Sequence, residues 1–139
     1  MILSVGVDNF KNVKNKSVYV DKTKILENIL SKVDGTSFLF CRPRRFGKSL
    51  ALSMMEYFFD EKKKDDSYLF NDLYIAKNKA LLNNHQNKYA VVHLNFKDLI
   101  STSFDSLISG INGIVRDAYL ENISVYYNLN EFNKIYWNK

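Results

Sequence analysis

Hydrophobic and polar positions follow several distinct periods along this chain of 139 residues. Between Tyr19 and Gly35 the apolar residues Ile25, Leu26, Ile29, Leu30 and Val33 recur every three or four positions, which predicts a helix with one buried face. Asp21 stands where an N-cap belongs, and Gly35 where a helix can end in the left-handed conformation. The run Ser37 to Cys41 is apolar almost without a break, the pattern of a strand buried on both faces. Leu50 to Phe59 is apolar nearly all the way round, with Ser53 and Glu56 as the main interruptions, and predicts a helix buried on more than one side.

Further along, Asp60 to Asp66 reads as a charged loop and Tyr68 to Leu82 as one or two short helices. A polar turn, Asn83 to Lys88, leads to a second strand, Tyr89 to Phe96, in which Val92, Leu94 and Phe96 alternate with His93 and Asn95. His93 then lies on the less buried face of that strand. A helix from about Phe104 to Tyr119 carries the stripe Leu107, Ile108, Ile111, Ile114, Val115, Ala118 and Tyr119, expected to be core. Gly110 and Gly113 inside it each cost about 1 kcal/mol relative to Ala, so a close helix contact is expected there. Glu121 to Lys139 is ambiguous between strand and helix. The element order predicts an α/β layered fold, a parallel sheet flanked by helices, in a single domain.

Composition changes this picture little. The chain is 46% hydrophobic and 25% charged, which is globular rather than disordered. Its 20 Lys and Arg against 15 Asp and Glu leave +5, a surplus that suits a phosphate-bearing partner without requiring one. The single cysteine, Cys41, excludes an internal disulfide and a thiolate metal site, and reads as a small buried hydrophobe. His85 and His93 lack carboxylate company at ligand spacing, which argues against zinc. No apolar run reaches the ~18 residues of a membrane span, and the N-terminus lacks the basic flank of a signal peptide. A reducing, cytoplasmic setting and no membrane partner are expected.

The candidate chemistry lies between the first strand and the apolar helix. There Arg42, Arg44, Arg45 and Lys48 fall within seven residues of "RPRRFGKS". Gly47-Lys48-Ser49 match the second half of G-x-x-x-x-G-K-[ST], the Walker A loop, while Arg42 takes the place of its first glycine. In such a loop the backbone N–H groups wrap phosphates, the lysine reaches the outer ones and the hydroxyl ligates magnesium. The helix N-terminus adds partial positive charge at the same place. Pro43 contributes no N–H and stiffens the entry, so the donors must come mainly from Arg44 to Ser49. The arginines can give forked, charge-assisted bonds to phosphate oxygens, with one or two of them facing outward. The plain alternative is a basic surface turn. The phosphate reading requires the segment to curl, with its amide hydrogens facing inward.

"YVDKT" at Tyr19–Thr23, "RPRRFGKSLALSMMEYFF" at Arg42–Phe59, "LF" at Leu69–Phe70 and "KYAVVHLNFKD" at Lys88–Asp98 resemble the predicted AAA-ATPase-like family of bacterial P-loop ATPases. Its members often carry a nuclease-like domain at the C-terminal end. The resemblance runs from about Val5 to Asp98 and implies ATP and magnesium as cofactors, with the altered first glycine as the family's normal form. The site residues implied are Arg42, Pro43, Arg44, Arg45, Phe46, Gly47, Lys48, Ser49 and Leu50, with Ser49 on the metal. ATP hydrolysis also needs an acidic residue at the end of a second core strand. The resemblance places it beyond Lys139. Asp98 is the nearest candidate in this chain, and the resemblance gives it no such role. Residues 1–139 therefore read as the N-terminal portion of a P-loop ATPase domain, ending before the Walker B-type strand. Trp137, near the end, is a costly residue to leave unpacked. The remainder of such an ATPase or a nuclease-like domain is the expected protein partner. Asp21, Lys22 and Thr23 carry only structural weight.

Two other classes compete with a nucleotide-binding module. The same arginines with Lys62, Lys63 and Lys64, a pI near 9.2 and abundant aromatics describe a non-enzymatic nucleic-acid or acidic-surface binder. Most of those aromatics sit at core spacing, which places it second. A structural module without any ligand is the third.

Overall fold

The computed structural model describes residues 8–16, 19–32, 37–97, 99–131 and 133–134. Val33, Gly35, Asp98 and Trp137, each given a role above, lie outside the described residues. The chain divides into two compact units, residues 1–89 and 90–139.

The first unit is built from α1 (Phe10–Lys16), α2 (Lys24–Leu30), α3 (Lys48–Phe59), two 3-10 helices (Glu61–Phe70 and Tyr74–Lys77) and α4 (Lys79–His85). Its core is Phe10, Leu26, Met54, Tyr57, Phe58, Leu69, Phe70, Leu73 and Ile75. Phe10 is at its centre, with its ring 5.1 Å from Phe70 and 5.3 Å edge-on to Tyr19. Aromatic pairs in these geometries gain beyond the area they bury. The Phe10 backbone N–H donates to the buried Ser53 hydroxyl at 3.1 Å, so the polar interruption in α3 ties α1 to that helix.

Helix α3 ends in a built stop. Asn87 takes positive φ (53°), donates its side-chain N–H to the carbonyls of Asp60 (2.7 Å) and Tyr57 (3.2 Å), and its backbone N–H to that of Phe58 (2.8 Å). Carbonyls that a helix C-terminus leaves without intrahelical donors are thereby satisfied. The segment expected as a charged loop after Asp60 is helical, and Asp60 caps it by accepting from the Lys62 N–H at 2.9 Å.

The expected parallel sheet is absent among the described residues, so the α/β layered, P-loop-type fold is corrected to a mostly helical arrangement. A strand exists only as a member of a ladder, because its backbone groups must pair with a neighbour. Residues 37–43 belong to no helix or strand and are exposed; Leu39 is 88% accessible. Cys41, expected buried, is exposed with them. Among the described residues the second run forms one parallel β-bridge, from Tyr89 to Asp60, and the Tyr89 N–H donates to Phe59 at the end of α3. Both runs carry the apolar pattern, and among the described residues no partner strand pairs with either.

The second unit contains α5 (Phe104–Glu121) and α6 (Ile123–Asn128). A reciprocal cap between Ser103 and Ser106 starts α5, and the buried Asn122 follows its end. Of its expected core stripe Ala118 is buried and Leu107, Ile111, Ile114 and Val115 are half-buried, while Ile108 and Tyr119 are exposed. A Cβ at Gly110 would collide with Leu99, a residue outside the helices, rather than with the helix expected there, and nothing lies within 4 Å of one at Gly113. Glu121 to Asn128, left open between strand and helix, is helical.

Candidate functional site

Residues 42–49 form a curled turn that opens α3. Arg45 (φ 65°) and Gly47 (φ 74°) take the left-handed conformation, whereas Arg44, Phe46 and Lys48 do not. Left-handed residues set among residues of the other hand are what lets successive N–H groups face one concave side, as in an anion-binding nest. For Arg45, which carries a Cβ, that conformation costs about 1–2 kcal/mol. The first intrahelical bond here runs from Ala51 N–H to Gly47 C=O at 2.9 Å, so the amides of Lys48, Ser49 and Leu50 belong to the turn in which a helix lacks internal acceptors.

Lys48 closes this turn upon itself. Its ammonium donates to the carbonyls of Arg42 at 2.6 Å and Pro43 at 2.9 Å. An ammonium has three donors, so one remains for another oxygen. Arg42, Pro43, Arg44, Arg45 and Phe46 are exposed, as is Ser49 in the first turn of α3. Gly47 and Lys48 are half-buried, and Leu50, half-buried too, packs against the core and anchors the helix below the loop. Among the described residues no carboxylate forms an ion pair with Arg42, Arg44, Arg45 or Lys48.

A further cation reaches the same loop. Lys22 donates to the Phe46 carbonyl at 3.4 Å, and its Nζ lies 3.0 Å from where a Cβ on Gly47 would be. Its neighbours hold it there. Asp21 accepts from the backbone N–H of Thr23 (2.8 Å), the Thr23 hydroxyl (2.7 Å) and the backbone N–H of Tyr74 (2.6 Å). Thr23, fully buried, accepts in turn from the Ile75 N–H at 3.1 Å. Burial pushes the Asp21 carboxyl up, but these three donors and the Lys14 charge outweigh it and hold the group below the ordinary 3.8. Helix α2 itself begins after Thr23, so Asp21 is no simple N-cap.

Sequence reasoning did not place Lys22 beside the loop, because its proximity to Gly47 depends on contacts between distant segments. The available signal was the polar triplet Asp21-Lys22-Thr23 after the apolar Val18-Tyr19-Val20, too many polar groups for capping alone. Of the basic run 62–64, Lys63 is committed elsewhere, 3.6 Å from Glu56 and over the Tyr57 ring.

The sequence profile described as predicted AAA-ATPase matches residues 4–135. The chain belongs to the AAA-ATPase-like family. Neither a curated protein nor a solved structure matches it. Among the described residues of this AAA-ATPase-like chain no three His, Cys, Asp or Glu side chains converge to hold a metal, and no helix is long and apolar enough to cross a membrane.

Proposed function

We propose that this chain binds ATP with magnesium at the turn from Arg42 to Leu50 and, by itself, turns it over slowly. The observation that carries this reading is the Lys48 ammonium drawn across a turn of alternating hand, with Arg42, Arg44 and Arg45 free of carboxylate partners among the described residues. Such an arrangement offers backbone donors on a concave side and spare cationic donors around it, the complement of a polyphosphate. Family membership supports ATP over other phosphate carriers.

The residues fit the group. Gly47 supplies left-handed backbone that a side chain would strain, Lys48 keeps one donor to spare, and the Ser49 hydroxyl is accessible at the helix start for the metal that phosphate oxygens would bring. Bound magnesium would supply neutralisation of phosphate charge. Among the described residues no three His, Cys, Asp or Glu side chains converge, so the metal would rest on Ser49 and the phosphate oxygens, and turnover is expected to be slow.

Titration calorimetry with Mg-ATP on the wild type and Lys48→Ala tests the assignment. Lys48→Ala is expected to lose at least about tenfold in affinity, the worth of one charge-assisted hydrogen bond. Equal heats from both proteins would remove the site.

A further inference from the structure

Lys22 lies 24 positions from Phe46 in sequence, yet its ammonium stands against the loop. Its backbone is pinned on two sides. On one side, Tyr19 packs edge-on to Phe10, its hydroxyl donates to the Met54 sulfur on α3 at 3.4 Å, and the Lys22 backbone N–H donates to that same hydroxyl. On the other, Asp21 and Thr23 are bonded to the backbone of Tyr74 and Ile75. A side chain launched from a turn held this firmly needs to order little beyond its own rotamers to make a contact, which lowers the entropic cost of using it.

A brace for the loop is a poor account of this arrangement. The bond from Lys22 to the Phe46 carbonyl is long, at 3.4 Å, and an ammonium has three donors. The charges are also unfavourable for a purely structural contact. Lys22, like Arg42, Arg44, Arg45 and Lys48, has no carboxylate partner among the described residues, so the turn brings an added cation to an already cationic loop. Like charges gathered this way repel unless an anion joins them. Gly47 fits the same picture twice over: it supplies the positive φ, and its missing Cβ leaves the space that the Lys22 ammonium approaches.

We propose that Lys22 is a phosphate-binding residue, a second ammonium that enters over Gly47 from the Tyr19–Thr23 turn and contacts the same polyphosphate as Lys48. This rests on the nucleotide-binding reading above. Asp21 and Thr23 are then positioning residues, acting through the placement of the lysine between them.

The test is calorimetry on the full chain with Mg-ATP and, separately, magnesium pyrophosphate, for the wild type, Lys22→Met, Lys22→Arg and Lys48→Ala. Thermal midpoints are read in parallel. The expected result is that Lys22→Met weakens both ligands at least about tenfold. Lys22→Arg recovers most of that loss, and neither variant shifts the midpoint, since Lys22 is exposed. A loss shared by pyrophosphate ties the contact to phosphate and not to the base. Wild-type affinity in Lys22→Met beside a weakened Lys48→Ala overturns the role of Lys22 and leaves the loop standing. A loss in Lys22→Met matched by a fall in midpoint and not recovered by Arg makes Lys22 a brace and also overturns it. Wild-type affinity in both Lys22→Met and Lys48→Ala removes the nucleotide site itself.

Discussion

The Asp21 carboxylate accepts the backbone N–H of Tyr74 at 2.6 Å, across 53 positions of sequence. With the Thr23 hydroxyl accepting from Ile75 N–H, it joins the turn before α2 to the start of the Tyr74–Lys77 helix. The turn that carries Lys22 is therefore set by groups on both of its sides, and the loop's extra cation depends on a clasp that never touches the loop.

Thr23→Val tests the clasp. Valine has nearly the same shape but leaves the Ile75 N–H without its acceptor in a fully buried place, which is expected to cost about 1–3 kcal/mol. Thr23→Ser should restore most of it. Urea denaturation followed by circular dichroism measures the difference, and a Thr23→Val protein as stable as the wild type would show that the clasp contributes nothing.

Acid should release the same clasp. Burial works against the Asp21 charge, but the donors from Thr23 and Tyr74 hold the folded carboxyl below 3.8, its ordinary value. A depressed folded value stabilises the fold fully above 3.8 and loses that contribution as pH falls through the folded value. The thermal midpoint is expected to drop on that acid limb, and Asp21→Asn should flatten it. Tyr19 gives the opposite limb. Burial, only partly offset by its bond from the Lys22 N–H, pushes its phenol up to about 12, so its contribution is full below 10.0 and fades as pH rises toward 12. Ultraviolet absorbance of phenolate should show one tyrosine titrating last.

Gly47→Ala places a side chain at φ 74° and 3.0 Å from the Lys22 ammonium. The left-handed backbone costs about 1–2 kcal/mol for a residue with a Cβ, and Lys22 must give way. The loop can relieve both by losing its curl. Mg-ATP affinity is expected to fall with only a small change in thermal midpoint, and an unchanged affinity would separate the curl from binding.

Asn87→Ala removes two side-chain donors from the carbonyls of Tyr57 and Asp60 and leaves a Cβ-bearing residue at positive φ. A loss of about 2 kcal/mol is expected in chemical denaturation, from the Tyr57 carbonyl left without that donor and backbone strain together, while the Asp60 carbonyl keeps the Lys63 N–H. Asn87→Gly, which keeps the backbone comfortable, isolates the hydrogen-bond share.

What the sequence by itself determined was local. The periods of α2, α3 and α5 were plain, because an amphipathic or apolar helix writes its hydrogen bonds within four residues and its buried face into a repeat. The loop was equally plain, since Gly47-Lys48-Ser49 opens an apolar helix whatever surrounds it. The runs at 37–41 and 89–96 were misread as sheet, because a strand needs a partner that its own residues do not encode. Lys22 was not placed beside the loop for the same reason. Only tertiary structure decided that Asp21 and Thr23 would clasp Tyr74 and Ile75, that Tyr19 would reach Met54, and that the lysine among them would stand over Gly47. Helical periodicity is a property of neighbours in the chain, whereas a binding site is made by groups that folding brings together.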